Sequence, residues 1–249
     1  MGDQIQIREC ATLDEMTACV DLQREVFALS EVELSPVRHL IVTKNAGGFT
    51  LGAYDASRLI GFVLSVPAVM RGERAFYSHM TAVHPEYQSH GVGARLKWAQ
   101  RTRSLAEGVE YIKWTFEPIK ARNAYFNLEK LGATVNEYAV NFYGTDYATA
   151  ASARNKVGLA SDRLFAEWHL RSGRVAALAE GDLAENLGAP AAEIATVADW
   201  QSMVESDPKV AVVEQLRIRQ DFQAAFERKL VARGFRRVSD KPSFLLFER

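Results

Sequence analysis

The chain has 249 residues, 48% hydrophobic and 24% charged, which excludes a disordered or fibrous protein and suffices for one large core or two small ones without disulfide or metal staples. Thirty basic residues face 31 acidic ones, so no whole-chain field attracts nucleic acid or an anionic membrane, and partners must be read from local sites. Cys10 and Cys19 fit neither a metal-ligand pair nor a redox motif, the start carries no basic segment followed by an apolar run, and no uncharged apolar stretch spans a bilayer. The expected setting is therefore the cytoplasm, with both thiols as small buried hydrophobes.

Ile5 and Ile7 alternate with polar neighbours as a strand, and Thr12 opens a helix carrying Leu13, Met16, Val20 and Phe27. Pro36 starts a second helix that Gly47-Gly48 breaks. The β-rich runs Phe49 to Tyr54 and Leu59 to Val69, joined by Asp55-Ala56-Ser57-Arg58, read as a hairpin, and Ala75 to Val83 as the next strand. A glycine-containing loop then leads into a helix from about Val92 to Glu107, which Gly108 ends. Tyr111 to Phe116 is a strand, Ala121 to Leu131 a short helix closed by Gly132, and Thr134 to Phe142 a further strand. An alanine-rich stretch up to Ala160 reads as a loop, and Leu164 to Leu170 as a strand. From Gly173 to Ala192 the signal is weak, and Glu193 to Val197 reads as a strand before a helix begun by Asp199. Asp207-Pro208 caps a long helix with the stripe Val213, Leu216, Phe222, Phe226 and Leu230, expected to end at Gly234. Phe244 to Phe247 closes the chain as a strand.

The loop Gln88-Ser89-His90-Gly91-Val92-Gly93 carries the chemistry. Glycines between a strand and a helix allow positive φ and close backbone approach, and the helix start offers unpaired N–H groups and a positive dipole end. Such a place suits a pyrophosphate. A dinucleotide fingerprint would need glycine at Leu96, and a Walker loop would need G-x-x-x-x-G-K, so neither is present.

Gln88, Gly91 and Gly93 resemble the Q/R-x-x-G-x-G/A motif of the GNAT acetyltransferases, and Ala82-Val83-His84-Pro85-Glu86-Tyr87 is similar to the strand end preceding it in that family. A subgroup of predicted GNAT acetyltransferases is similar also in Trp114-Thr115-Phe116-Glu117-Pro118, Arg122-Asn123-Ala124, Lys130-Leu131-Gly132 and Asn141-Phe142-Tyr143-Gly144. The likeness continues through Ser161-Asp162-Arg163-Leu164 and Glu167-Trp168, covers most of residues 3–170, and thins beyond. It implies an α/β GNAT acyl-CoA N-acyltransferase fold over residues 1–170 and a C-terminal α/β extension over 171–249 packed on it. It further implies that backbone groups of Thr81, Ala82 and Val83 pair with pantetheine and the acyl carbonyl, and that Gln88, Ser89, His90, Gly91, Val92, Gly93 and Ala94 surround the pyrophosphate. Arg95, Lys97, Arg101 and Arg103 would then be candidates for the adenosine 3′-phosphate, each with a solvated helix face as its plainer role.

Acyl transfer to an amine needs a base, oxyanion stabilisation and a proton for the leaving thiolate, and no covalent nucleophile. The base candidate is His79, since the similar serotonin N-acetyltransferase branch also carries a histidine on this strand; a hydrogen-bonded structural histidine is the competing role. Period-2 alternation places Tyr77, His79, Thr81 and Val83 on one face. Where many family members have an acid tyrosine this chain has Leu128, leaving Tyr125, Tyr143 or water. Asn123 and Asn127 are candidates for the pantetheine amides. Glu117 is a candidate for a substrate ammonium, and Arg163, Arg217 and Arg219 for a substrate carboxylate.

The expected activity is direct transfer of an acetyl or succinyl group from acyl-CoA to the amine of a small molecule, an amino acid by resemblance to the subgroup, without a metal. A non-catalytic acyl-CoA-binding regulator is the rival. A protein acetyltransferase ranks last, for want of a charged docking stripe. Expected partners are acyl-CoA and the amine, with neither nucleic acid nor membrane; a homodimer is left open.

Overall fold

The computed structural model describes residues 5–27, 29–147, 158–182, 186–238 and 241–249. The chain divides into two compact units, Met1–Lys113 and Trp114–Arg249.

The first unit holds β1 (Ile5–Glu9), α1 (Leu13–Phe27), α2 (Val37–Asn45), β2 (Phe49–Asp55), β3 (Arg58–Met70), β4 (Glu73–Val83), α3 (Val92–Ala106) and the start of β5 (Tyr111–Phe116). This is the element order read from the sequence. Strands β1 to β4 are sequential antiparallel neighbours, whereas β5 joins β4 in parallel. Helix α1 begins with a reciprocal cap: the Glu15 N–H donates to Thr12 Oγ1 at 3.2 Å and the Thr12 N–H to Glu15 Oε2 at 3.0 Å. Residues Ile60 to Ser65 of β3 form a continuous buried run, as a strand covered on both faces requires. On one face, Phe62, Leu64 and Ala82 pack with Met16, Cys19 and Leu22 of α1 and Leu40 of α2.

Two irregularities of β4 matter for function. Its ladder with β5 consists of Phe76↔Ile112 and Tyr77↔Lys113, so among the described residues Ser78–Val83 has only β3 as ladder neighbour. Against β3, Leu64 faces Met80 and Ser65 faces Ser78, which leaves His79 as the extra residue of a β-bulge.

The second unit contains the end of β5, α4 (Ala121–Tyr125) with a π-turn over Phe126–Lys130, β6 (Thr134–Ala139), β7 (Arg163–His169), α5 (Gly173–Glu180), β8 (Ala192–Ala195), α6 (Trp200–Ser206), α7 (Pro208–Glu227), β9 (Val231–Arg236) and β10 (Ser243–Phe247). Here β7-β6-β9-β10-β8 lie side by side, antiparallel throughout. Helix α7 packs on β6 and β8, and its Phe222 is fully buried against Tyr138 and Phe244, ring centroids 5.8 and 4.9 Å away. Trp168 of β7 meets Trp114 edge-on and donates its indole N–H to the Leu131 carbonyl at 2.7 Å.

Three expectations for this unit are corrected. The long helix ends at Glu227 instead of Gly234, because Lys229 turns at φ 62° and Val231–Arg236 pairs with β10. Gly234 is a strand residue where a Cβ would stand 3.2 Å from Leu245 and 3.3 Å from Glu129 Oε1, the oxygen that accepts the Phe235 N–H at 2.6 Å. The weakly patterned stretch after Gly173 begins with a helix, capped by Ser172 and stopped by Gly181 at φ 87°. The strand expected to reach Phe142 ends at Ala139. Most of the alanine-rich stretch before Ala160 lies outside the described residues.

Replacing Phe222 with alanine should destabilise this unit by about 3–5 kcal/mol, because a fully buried aromatic touching three rings leaves a cavity that backbone elements on two sides cannot close. Urea unfolding followed by circular dichroism measures the loss.

Candidate functional site

The strand-to-helix loop of the first unit is built by side chains that hold the backbone open. After β4 comes a 3-10 turn over Pro85–Tyr87, with the His84 ring accepting the Glu86 N–H at 3.3 Å. Gln88 reaches back and donates its amide N–H to the Val83 carbonyl at 3.0 Å, tying the loop to the strand end. His90 Nδ1 lies 2.8 Å from the Gln88 carbonyl, and Ser89 takes φ 66°. Gly91 then adopts φ 81°, ψ −3° as the residue before α3, where no side chain caps the helix. Among the described residues, apart from its own chain neighbours, nothing lies within 4 Å of where a Cβ on Gly91 would stand, and Val83 Cγ2 approaches that of Gly93 at 3.8 Å. The first N–H groups of α3, on Val92, Gly93 and Ala94, thus border an open cradle with the positive helix end behind it. A diphosphate fits this arrangement, and a neutral side chain would have nothing to pack against.

The bulge changes which side chains accompany His79. Because it adds one residue, it reverses the alternation, so the expected common face of Tyr77, His79, Thr81 and Val83 is not found. Ala82 and Met80 pack with α1 and α2, whereas Val83 points to Gly93, and Thr81 shares the side of Val83 by alternation. His79 itself places Nε2 2.9 Å from Ser35 Oγ and its ring 5.5 Å from that of His39. Ser35 is held in turn by Gln23, which accepts the Ser35 N–H at 2.8 Å and donates to its carbonyl at 3.1 Å. Burial, with a smaller contribution from His39, lowers the His79 pKa from its usual range, so the imidazole is neutral at physiological pH. Ser35, Gln23 and His39 were missed in the sequence, since nothing local announces a contact 44 residues away.

The basic residues of α3 are occupied otherwise than expected. Lys97 is 2% exposed and donates to Gln100 Oε1 at 2.6 Å and to Ser78 Oγ at 3.1 Å; burial drives its pKa well down. Arg103 pairs with Glu9 and Glu107, and Arg95 donates to the Ile5 carbonyl. Lys97 is therefore removed from the set that could meet a phosphate, and Arg95 and Arg103 are committed to partners at the sheet edge and helix end.

In the second unit, Leu128 is fully buried in the π-turn. Asn127, a candidate for the pantetheine amides with a surface asparagine as its plainer role, is buried and accepts the Trp114 indole N–H at 3.2 Å, while Asn123 is half-buried on α4. Tyr125 carries Lys130 and Arg237 over its ring at 5.7 and 5.0 Å. Tyr143 stacks on Tyr147 and lies beneath the Arg163 guanidinium, 5.0 Å from its centroid. Glu117 pairs with Lys120 and stands 3.8 Å from Arg163 Nη1. Of the other arginines, Arg219 is bidentate to the buried Asp162 at 2.8 and 3.0 Å, and Arg217 holds Glu214 and Asp221. Both expected carboxylate binders are thereby corrected to internal ion pairs, leaving Arg163. Among the described residues, no group of three or more His, Cys, Asp or Glu is placed to hold a metal ion, and no helix is long and apolar enough to cross a membrane.

A two-pair parallel ladder with β5, a bulge at His79 and a glycine cradle opening α3 mark the C-terminal half of β4 in this α/β unit. Residues 16–133, just under half of the chain, match the model of the Acetyltransferase (GNAT) family, so this stretch is similar to that family. Solved structures agree in fold. An acetyltransferase of the GNAT family from Streptococcus pneumoniae is 14% identical, covering 66% of this chain and 97% of its own, with TM-score 0.52. The ribosomal-protein-S18-alanine N-acetyltransferase from Escherichia coli is also 14% identical, over 68% and 96%, with TM-score 0.51. An N-acetyltransferase from Staphylococcus aureus is 11% identical, over 67% and 99%, with TM-score 0.52. No curated protein matches the chain by sequence.

The buried Lys97 makes stability depend on pH. Its folded pKa is lowered, so below the unfolded value of 10.5 the unfolded chain binds a proton that the native state refuses. Stability therefore falls as pH drops from about 10 toward the folded pKa. Lys97→Met should be at least as stable as the parent at pH 7 and lack this slope. Urea midpoints at pH 7 and pH 9 for both proteins measure the difference, and parallel shifts would refute a neutral buried lysine.

Proposed function

We propose that this chain transfers an acetyl or succinyl group from acyl-CoA to the amine of a small molecule, an amino acid, by direct attack, as a cytoplasmic enzyme. The observation that carries the reading is the left-handed Gly91, with open space where its side chain would be, at the uncapped start of α3 and after a stretch of β4 whose ladder neighbour among the described residues is β3 alone. Gln88 to Ala94 would hold the pyrophosphate by backbone N–H groups, and Thr81, Ala82 and Val83 would offer their backbone to the pantetheine arm, with Asn123 as a side-chain contact. When bound, acyl-CoA supplies the activated thioester. The transferase domain takes in residues 1–170, and residues 171–249 form an extension whose strands β9, β10 and β8 continue from β6.

His79 is the base of this reading. Burial keeps it neutral, and in the tautomer that donates Nε2–H to Ser35 Oγ, Nδ1 keeps a lone pair for the proton of the acceptor ammonium. Gln23 fixes Ser35 from both sides and so orients the ring. The hydroxyls of Tyr125 and Tyr143 are the protein's proton donors for the departing thiolate, and a CoA thiol is acidic enough to leave with little help. Glu117 and Arg163 serve the acceptor.

Gly91→Val should abolish measurable acetyl-CoA binding while the fold persists, because a β-branched residue at φ 81° is strained and its methyls fill the cradle. Calorimetry decides, and unchanged affinity in a folded variant would remove the reading. It also separates the rival: a non-catalytic regulator binds acetyl-CoA but releases no thiol with any amine.

His79→Ala should lower kcat/KM by about 10²–10⁴-fold near neutral pH and by less at high pH, where free amine is plentiful. In the parent the acid limb should fall below pH 6.5, since the base works only above its lowered pKa. A pH-rate profile shows both effects, and an equal loss at every pH would make the histidine structural.

A further inference from the structure

Within the second unit, a cavity of about 40 Å³ lies among the residues after β5, the start of β7 and α7. Its charged lining is Glu117, Asp146, Asp162 and Arg163, and Trp200 and Ile218 belong to its apolar wall. Asp162 is saturated by the Tyr138 hydroxyl, the Asn141 N–H and two bonds from Arg219. Arg163 is not. It is 8% exposed, yet among the described residues its single hydrogen bond runs from Nη1 to the Asp162 carbonyl at 3.0 Å. Most of a five-donor fork is left for the cavity. Glu117 Oε1, 3.8 Å from the same Nη1, is beyond hydrogen-bond reach, so the two charges face each other without closing. The Tyr143 ring beneath the guanidinium steadies its plane.

We propose that this cavity holds the head group of an α-amino acid, its carboxylate on the Arg163 fork and its ammonium on Glu117. A guanidinium that lines a cavity with most of its donors open favours an anion, and a carboxylate matches its fork. The three lining carboxylates are balanced by Arg163 together with Lys120 and Arg219, the partners of Glu117 and Asp162, so a ligand of zero net charge keeps the balance. The volume decides what enters: room for about three waters suits a head group and excludes a side chain. The last step rests on the acyltransferase reading. With the α-ammonium engaged by Glu117 inside the head-group cavity, the nitrogen left for acylation is a second amine on the side chain, and the substrate class is the diamino acids, such as lysine or ornithine.

Calorimetry on the full chain without acyl-CoA compares norleucine with pentylamine, which lacks the carboxylate, and hexanoate, which lacks the ammonium. Norleucine should bind at least about tenfold more tightly than either. Arg163→Met should erase the advantage, and Arg163→Lys should recover part of it. If Arg163→Met does not fold, Glu117→Gln should weaken norleucine and spare hexanoate. Equal binding of norleucine and pentylamine, or no loss in Glu117→Gln, would overturn the proposal. With acetyl-CoA present, mass spectrometry should find lysine acetylated on its side chain and norleucine untouched; α-acetylated norleucine would also overturn it. Tight norleucine binding without transfer to any amine would support the head-group site and defeat the acyltransferase reading instead.

Discussion

The first unit depends on a strand that loses its neighbour half-way. From Ser78 to Val83, β3 is the ladder neighbour of β4 among the described residues. Backbone N–H and C=O groups left without partners are expensive unless water or a ligand meets them. The bulge at His79 falls where the parting begins, and the added twist of a bulge is a physical means of ending a pairing. The Gln88 amide takes up the Val83 carbonyl at the far end, so the open stretch is bounded on both sides by sequence-encoded devices.

The second unit is organised around a buried carboxylate. Asp162 gathers the Tyr138 hydroxyl of β6, the backbone after β6 and the Arg219 fork of α7, joining three segments at one side chain. Its neighbour Arg163 is positioned as a by-product: with Asp162 pinned, the next residue starts β7 with its side chain into the cavity. Gln215 of α7 reinforces this by pairing both its amide groups with the backbone of Ala160, at 3.0 and 2.7 Å, as a strand neighbour would. A core polar network thus serves as the foundation for a cation that the network itself leaves underused.

What the sequence made legible was local. Alternation in β1 to β5, the Thr12 and Asp207 caps and the glycine pair beyond β4 are written within a few residues, and the structure has them where they were read. What escaped was tertiary. One inserted residue at His79 turned the following side chains over, and no composition signal marks a bulge. Lys97 looked like any helix-surface lysine, yet Ser78, a strand away, gives it a buried partner. Arg219 looked available because its carboxylate lies 57 residues earlier. Leu230 continued the apolar stripe of α7 although the chain had already turned at Lys229, since a buried turn residue and a buried helix residue have the same hydrophobicity. Glu117 and Arg163 were each noticed alone, and only folding brought them within 3.8 Å.

The chain has two cysteines, both in the first unit, 1% and 0% exposed, with sulfurs 3.7 Å apart and the Cys10 thiol against the Tyr54 hydroxyl at 3.3 Å. Neither can meet a bulky alkylating reagent unless α1 lifts from the sheet. The rate at which these thiols are labelled in native buffer is therefore a clock for the opening of that half alone, because the other half contains no sulfhydryl to contribute. An acyl-CoA that steadies the first unit would slow the clock, and a ligand confined to the second would leave it running at the same pace, so two natural residues suffice to tell which half of the molecule a compound has found.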